Sequence, residues 1–131
     1  MPSVFTKIIN GEIPSYKVAE DANYYAFLDI SPLQKAHTLV VPKKETDYIF
    51  DLTDDELAGM VLFAKKVARA IEKTVDCKKV GMAVIGLEVP HAHIHLVPLI
   101  EEHDLNFNNP RKTFSSEEMK YISASIASNL E

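Results

Sequence analysis

The sequence predicts an α+β fold: an antiparallel sheet of about five strands, one long central helix and a C-terminal helix. Three observations carry this expectation. Two Ser/Thr-x-x-Glu capping boxes, Thr53-Asp54-Asp55-Glu56 and Ser115-Ser116-Glu117-Glu118, each precede apolar residues spaced by three and four. Short β-rich runs occupy the remaining stretches. Their order, strands then helix then strands then helix, lacks the regular alternation of a doubly wound sheet, so helices packed on one face of an antiparallel sheet are expected.

In chain order, Val4 to Ile9 reads as a short helical or extended piece closed by the Asn10-Gly11 turn signal. Tyr16 to Glu20 and Tyr24 to Leu28 read as two strands of a hairpin turning at Asp21-Ala22-Asn23. Thr38 to Val41 is a third strand stopped by Pro42. Behind the first capping box, Leu57, Met60, Val61, Ala64, Val67, Ala68, Ile71 and Val75 form one apolar stripe. The helix they predict is about 33 Å long at about 1.5 Å per residue. Val80 to Ile85 and His93 to Leu99 are the fourth and fifth strands. Met119, Ile122, Ile126 and Leu130 continue the second capping box as a helix over about 115–130.

A chain of 131 residues, 47% of them hydrophobic, fits a single domain over 1–131. Such a domain buries roughly two thirds of its unfolded surface. The net charge of −5 comes without a basic cluster, because Lys43-Lys44, Lys65-Lys66 and Lys78-Lys79 are isolated pairs. A nucleic-acid partner is therefore not expected. No apolar run approaches the ~20 residues of a membrane span, and Lys7, Glu12, Lys17 and Glu20 interrupt the N-terminal stretch, so neither a membrane anchor nor a signal peptide is expected. Cys77 is the single cysteine, which suits a reducing, cytoplasmic setting.

The chemistry concentrates in His91-Ala92-His93-Ile94-His95-Leu96-Val97-Pro98. In a strand, side chains two apart share a face, which would put three imidazoles in one row and Ala92, Ile94 and Leu96 on the other side. Three uses of such a row are open. A metal could take at most two of the rings: the Cα atoms of His91 and His95 would lie roughly 13 Å apart, against Zn–N distances of about 2 Å. His37 or His103 would have to supply a further ligand, and no CxxC completes a site. A structural role would require hydrogen-bond partners for every buried imidazole. The third use is nucleophilic and acid–base chemistry at phosphorus, with His93, flanked on both sides, as the nucleophile.

The row resembles the histidine triad signature, and further blocks match the Hint-like branch of that family in the same order. These are Phe5 to Pro14, Glu20-Asp21, Ala26 to Pro32 and His37 to Lys43, so the resemblance covers about residues 4–98. It implies a homodimer whose two sheets join into one, and a nucleotide hydrolase or transferase needing neither cofactor nor metal. The expected substrate is a purine nucleotide conjugate, such as a nucleoside 5′-phosphoramidate, cleaved at the α-phosphate. His93 would form a nucleotidyl-histidine intermediate, His95 would contact the phosphate oxygens, and His91 and His37 would complete the polar network. Asp29 would bind the ribose hydroxyls, while Phe5, Ile8, Ile13, Phe27, Ile30 and Leu39 would line the base pocket. By pattern alone those six apolar residues read as ordinary core. A dinucleoside polyphosphate hydrolase and a nucleotide-binding regulatory module are the alternatives.

Two departures from the family pattern stand out. Bacterial relatives often carry a zinc-binding CxxC where this chain has Ser3 and Thr6, so no structural zinc is expected. The family's Gly-Gln-Ser/Thr before the triad reads Gly86-Leu87-Glu88. Leu87 cannot donate a hydrogen bond. Glu88, beside the expected phosphate site, reads either as a general acid with a raised pKa or as a solvent-facing side chain.

Overall fold

Five strands and three helices are found in residues 2–131, the part of the chain that the computed structural model describes. They are α1 (Val4–Ile9), β1 (Lys17–Glu20), β2 (Tyr24–Leu28), β3 (Thr38–Pro42), α2 (Asp54–Thr74), β4 (Lys79–Ala83), β5 (Ile94–Leu99) and α3 (Ser116–Ser128). Short 3-10 turns lie at Ile49–Asp51 and Glu102–Leu105. All strand pairs are antiparallel, in the order β1-β2-β3-β5-β4. The α+β class and the two long helices are as the sequence predicts. No helix of the described residues is long and apolar enough to cross a membrane.

Both capping boxes form as read. The Thr53 hydroxyl accepts from the Glu56 amide while the Glu56 carboxylate accepts from the Thr53 amide, and Ser115 and Glu118 repeat the exchange. Each box satisfies amides that the first helical turn leaves without partners. The buried stripe of α2 is Met60, Phe63, Ala64, Val67, Ala70 and Ile71, so Phe63 and Ala70 take the place expected for Val61, which is 41% exposed. This stripe and Met119, Ile122 and Ile126 of α3 cover one sheet face, formed by Tyr24, Ala26, Leu28, Val40, Ile94 and Leu96. Full burial of each large apolar side chain contributes about 1.5–3 kcal/mol.

Residues one step out of phase point to the other face. There Tyr25, Phe27, Leu39 and Val41 pack with Phe5 of α1 into a second apolar cluster, edged by Ile8. Helices therefore lie on both faces, not on one as the element order suggests. The exception is the short α1, whose single buried residue is Phe5. Gly11, at φ 80°, makes the expected turn behind it.

The histidine run corrects the expected strand limits. Pro90 sits in a tight turn where the His91 amide donates to the Val89 carbonyl at 2.8 Å, and the Ala92 amide donates to Thr46 at 2.7 Å. Those amides are spent outside the ladder, so β5 starts at Ile94 instead of His93. Its partner β4 consequently ends at Ala83, opposite His95, leaving Val84 and Ile85 outside the sheet.

Candidate active site

Register assembles one wall of the site. Phe27 pairs with Leu39, Leu39 with His95, and His95 with Ala83, making a row across four strands on the face away from the main core. His93 lies just before β5, its ring 4.9 Å from that of His95 and 5.0 Å from Phe5, centroid to centroid. The His91 ring lies 5.7 Å from that of Phe5, centroid to centroid. The three imidazoles therefore share a neighbourhood without forming a strand row, because His91 and His93 both precede the ladder.

Hydrogen-bond partners fix the tautomers of His37, His91, His93 and His95. A carbonyl can only accept, so His93 carries its proton on Nδ1, which donates to the His91 carbonyl at 2.9 Å. Its Nε2 keeps the lone pair. The Leu33 amide can only donate, and it reaches His37 Nδ1 at 3.0 Å, placing the His37 proton on Nε2. That proton is given to Nδ1 of His95 at 3.0 Å, leaving His95 with an Nε2–H. His91 donates Nε2–H to the Pro42 carbonyl at 2.7 Å and accepts at Nδ1 from the Ser3 hydroxyl at 2.7 Å. The site thus holds a lone pair on His93 beside an N–H on His95.

Burial keeps the supporting rings neutral. His37 and His91 are fully buried, whereas His93 and His95 retain 7% and 8% exposure and are the two a ligand can reach. Desolvation, reinforced by His95 and Arg111, takes the His37 pKa down to about 3. The same cause, with His93 and Arg111, takes His95 to about 4, and burial lowers His91 as well.

Asp29 follows β2, and its amide donates to the His37 carbonyl at 3.0 Å, joining the end of β2 to the start of β3. Its Oδ1 accepts from the Ser31 amide at 2.8 Å, while Oδ2 stands 3.7 Å from His37 Nε2 and 3.9 Å from Arg111 Nη1, beyond hydrogen-bond range of both. Burial raises the Asp29 pKa against the Ser31 hydrogen bond and the Arg111 charge.

Of the expected base-pocket residues, Phe5, Phe27 and Leu39 are buried together with Ile8 at their edge, and Ile13 is half-buried outside that cluster. Ile30 is 78% exposed at the rim beside Asp29. Glu88 is exposed, next to Leu87 at 89% exposure. Both line a hollow with Tyr48, Phe50 and Ala92.

Several contributors escape the sequence. The N-cap Ser3 holds His91, and Glu45 accepts from the Ser3 amide and, at 2.7 Å, from the Thr6 hydroxyl. Ser3-x-x-Thr6 before an apolar run is a cap signal that could have been read, but its contact with His91 spans 88 positions. Phe107 stands edge-on to His95 at 4.7 Å and carries no periodic signal.

Neither ligand set around the triad histidines suits zinc. Neutral hydroxyls are poor zinc ligands, and Ser3, Thr6, Glu45 and His91 already satisfy one another. Asp29, His37 and His95 place ligand atoms within 4.8 Å, but the Leu33 amide requires His37 to keep its proton on the nitrogen that would bind.

A family model described as "HIT domain" matches residues 10–102. Adenosine 5′-monophosphoramidase hnt1 of Schizosaccharomyces pombe is 35% identical over 133 residues, covering 100% of both chains. Among solved structures, a Hit-like protein from Bartonella henselae superposes with a TM-score of 0.84 at 29% identity, covering 98% of this chain and 96% of its own. A zinc-bound histidine triad family protein from Mycobacterium smegmatis gives 0.80 at 30% identity, covering 95% and 93%.

Proposed function

The chain belongs to the histidine triad family, and from that premise we propose that it is a nucleotide phosphoramidase, hydrolysing a purine nucleotide conjugate at the α-phosphate through His93. The observation that carries this reading is the fixed tautomer pair: a lone pair on His93 Nε2 next to an N–H on His95. The name of the fission-yeast relative, a monophosphoramidase, supports the substrate class.

In this mechanism, His93 Nε2 bonds to phosphorus as the P–N bond to the amine breaks, and the amine leaves with a proton from solvent. The imidazolium formed on His93 is stabilised by the His91 carbonyl at its Nδ1–H. His95 Nε2–H donates to a non-bridging oxygen. Water then attacks phosphorus, releases the nucleotide and restores His93. Asp29 binds the ribose hydroxyls through its open Oδ2, and the exposed Ile30 packs on the base beside it. The protein acts as a homodimer through the free edge of β4 and the apolar outer side of α2, where Met82 is 50% and Leu62 62% exposed.

Acid-free quenching of a reaction with adenosine 5′-phosphoramidate, followed by mass spectrometry, should find adenylate on the His93 peptide. No adduct, together with full activity in His93→Ala, would sink the mechanism. The exposed Leu87 and Glu88 favour one second reading, a nucleotide-binding module with lost turnover. Micromolar AMP binding by calorimetry without hydrolysis of adenosine or guanosine conjugates would establish it instead.

A further inference from the structure

The stretch from Glu102 to Phe114 has no part in the mechanism above. Residues beyond 102 lie outside the HIT domain match. Yet this stretch is ordered by its own bonds and is tied to the site at three points. Asp104 Oδ2 accepts from the amides of Ile100 and Glu101, each at 2.8 Å, and Asn106 Oδ1 accepts from Asn108 at 2.9 Å. The Lys112 amide donates to the Pro32 carbonyl at 2.8 Å, and Arg111 donates to the carbonyl of Ser31. Phe107, half-buried and in neither apolar core, stands with its ring 4.7 Å from His95.

These anchors aim Arg111 at Asp29. Its guanidinium lies 5.6 Å over the Phe107 ring, a cation–π seat that orients the planar group. Nη1 is 3.9 Å from Asp29 Oδ2, a gap too wide for a hydrogen bond and narrow enough for both groups to reach one hydroxyl oxygen. Each side has unspent capacity: Asp29 Oδ2 accepts no hydrogen bond here, and a guanidinium has five N–H donors, of which Ser31 takes one. A vicinal diol is the ligand that matches this pair. Its hydroxyls would donate to the carboxylate and accept from the guanidinium, whereas a bare carboxylate can use only their protons.

We propose that Arg111, seated on Phe107, is a specificity-determining residue that reads the ribose 2′,3′-diol jointly with Asp29. This rests on the assignment of the ribose to Asp29 under the proposed function. It makes the segment after the matched domain part of the nucleotide site, on a side of the ribose that Asp29 alone does not contact. A hydrogen bond from a charged donor, lost without replacement, weakens binding by about 10-fold or more.

The test is a substrate-by-variant cycle on the full chain, using adenosine 5′-phosphoramidate and its 2′,3′-dideoxy analogue with wild type, Arg111→Gln and Arg111→Lys. Circular dichroism verifies that each variant is folded; Arg111 is 38% exposed, so folding should survive. Arg111→Gln should raise KM for the ribose substrate about 10-fold with kcat within about 2-fold, and leave KM for the dideoxy substrate unchanged. Arg111→Lys, which keeps the charge but loses the planar fork, should recover only part of the loss. An equal KM penalty on both substrates would mean that Arg111 merely tethers the segment, overturning the proposal while leaving the Asp29 assignment standing. A wild type that does not distinguish the two substrates would overturn both.

Discussion

His37 donates its Nε2–H to Nδ1 of His95 at 3.0 Å, and the Leu33 amide behind it prevents the proton from residing anywhere else on His37. The direction of this bond sets what His95 shows to a ligand. His37→Phe removes the donor at similar bulk, and His95 is then free to move its proton to Nδ1 and present a lone pair to an anionic oxygen. Steady-state kinetics on adenosine 5′-phosphoramidate should show kcat lowered about 100-fold with KM little changed, the range expected for loss of one oxyanion donor. A kcat within about 2-fold of wild type would refute this role.

Stability should fall as pH drops through the histidine range. His37 and His95, at about 3 and about 4 in the fold, remain neutral where the unfolded chain takes up protons below about 6.5. The unfolded state therefore binds more protons between about pH 4 and 6.5, so stability rises with pH across that window and levels off above it. Asp29, with its raised pKa, works in the opposite direction, but its window opens from a starting value of 3.8, below the histidines'. Thermal melts from pH 5 to 8 should give Tm increasing to about pH 6.5; a higher Tm at pH 5 than at 7 would contradict the assignment.

Ser3 combines two tasks in one hydroxyl, capping α1 and donating to His91. Ser3→Ala removes an N-cap and leaves His91 Nδ1 without its short hydrogen bond, a combined cost of about 2–3 kcal/mol. Urea unfolding would measure it. A loss below about 0.5 kcal/mol would show that water or Thr6 takes over the site.

Gly59 of α2 should resist the usual helix-stabilising change to alanine. A Cβ there would collide with the Tyr24 hydroxyl, with the ring Cζ 3.1 Å away, and that hydroxyl donates to the Glu56 carbonyl at 2.7 Å. Gly59→Ala is expected to cost about 1–3 kcal/mol, where an open helix position would gain about 1. Adding Tyr24→Phe should recover most of the loss, and additive penalties in the double variant would argue against the contact.

Ala36 holds φ at 75°, directly before His37. Left-handed backbone costs a non-glycine residue roughly 1–2 kcal/mol, while the buried methyl returns about 0.8. Ala36→Gly should therefore shift stability by less than about 1 kcal/mol, whereas Ala36→Val, branched and in the same backbone region, should lose more than about 2. Chemical denaturation of the pair distinguishes backbone from packing.

What could be read in the sequence was local. β-rich composition in Tyr24 to Leu28 and in Thr38 to Val41, bounded by the Asp21-Ala22-Asn23 turn and by Pro42, located β2 and β3 because these signals lie within or beside each strand. The capping boxes located the starts of α2 and α3 because donor and acceptor lie within four residues. His37, Asp29, His93 and His95 were recoverable as a set through family resemblance, and the fold brings them together. What could not be read depends on distant partners: Ser3 on His91, Phe107 on His95, Arg111 on Asp29. His91 stands outside the ladder and the strand starts at Ile94 because the carbonyls of Val89 and Thr46 claim the amides of His91 and Ala92, which no periodicity in His91 to Pro98 records.

The two faces of β5 also bind activity to folding. Leu96 and Ile94 lie in the main core and His95 lies in the site, one residue apart. A slip of β5 by one position against β3 would drive imidazole among α2 and α3 and turn leucine toward the phosphate, so the misregistered molecule would lose its chemistry and its core in one step. Folded but inert molecules of that kind should not accumulate, and turnover per mole of protein can serve as a count of correctly paired sheets.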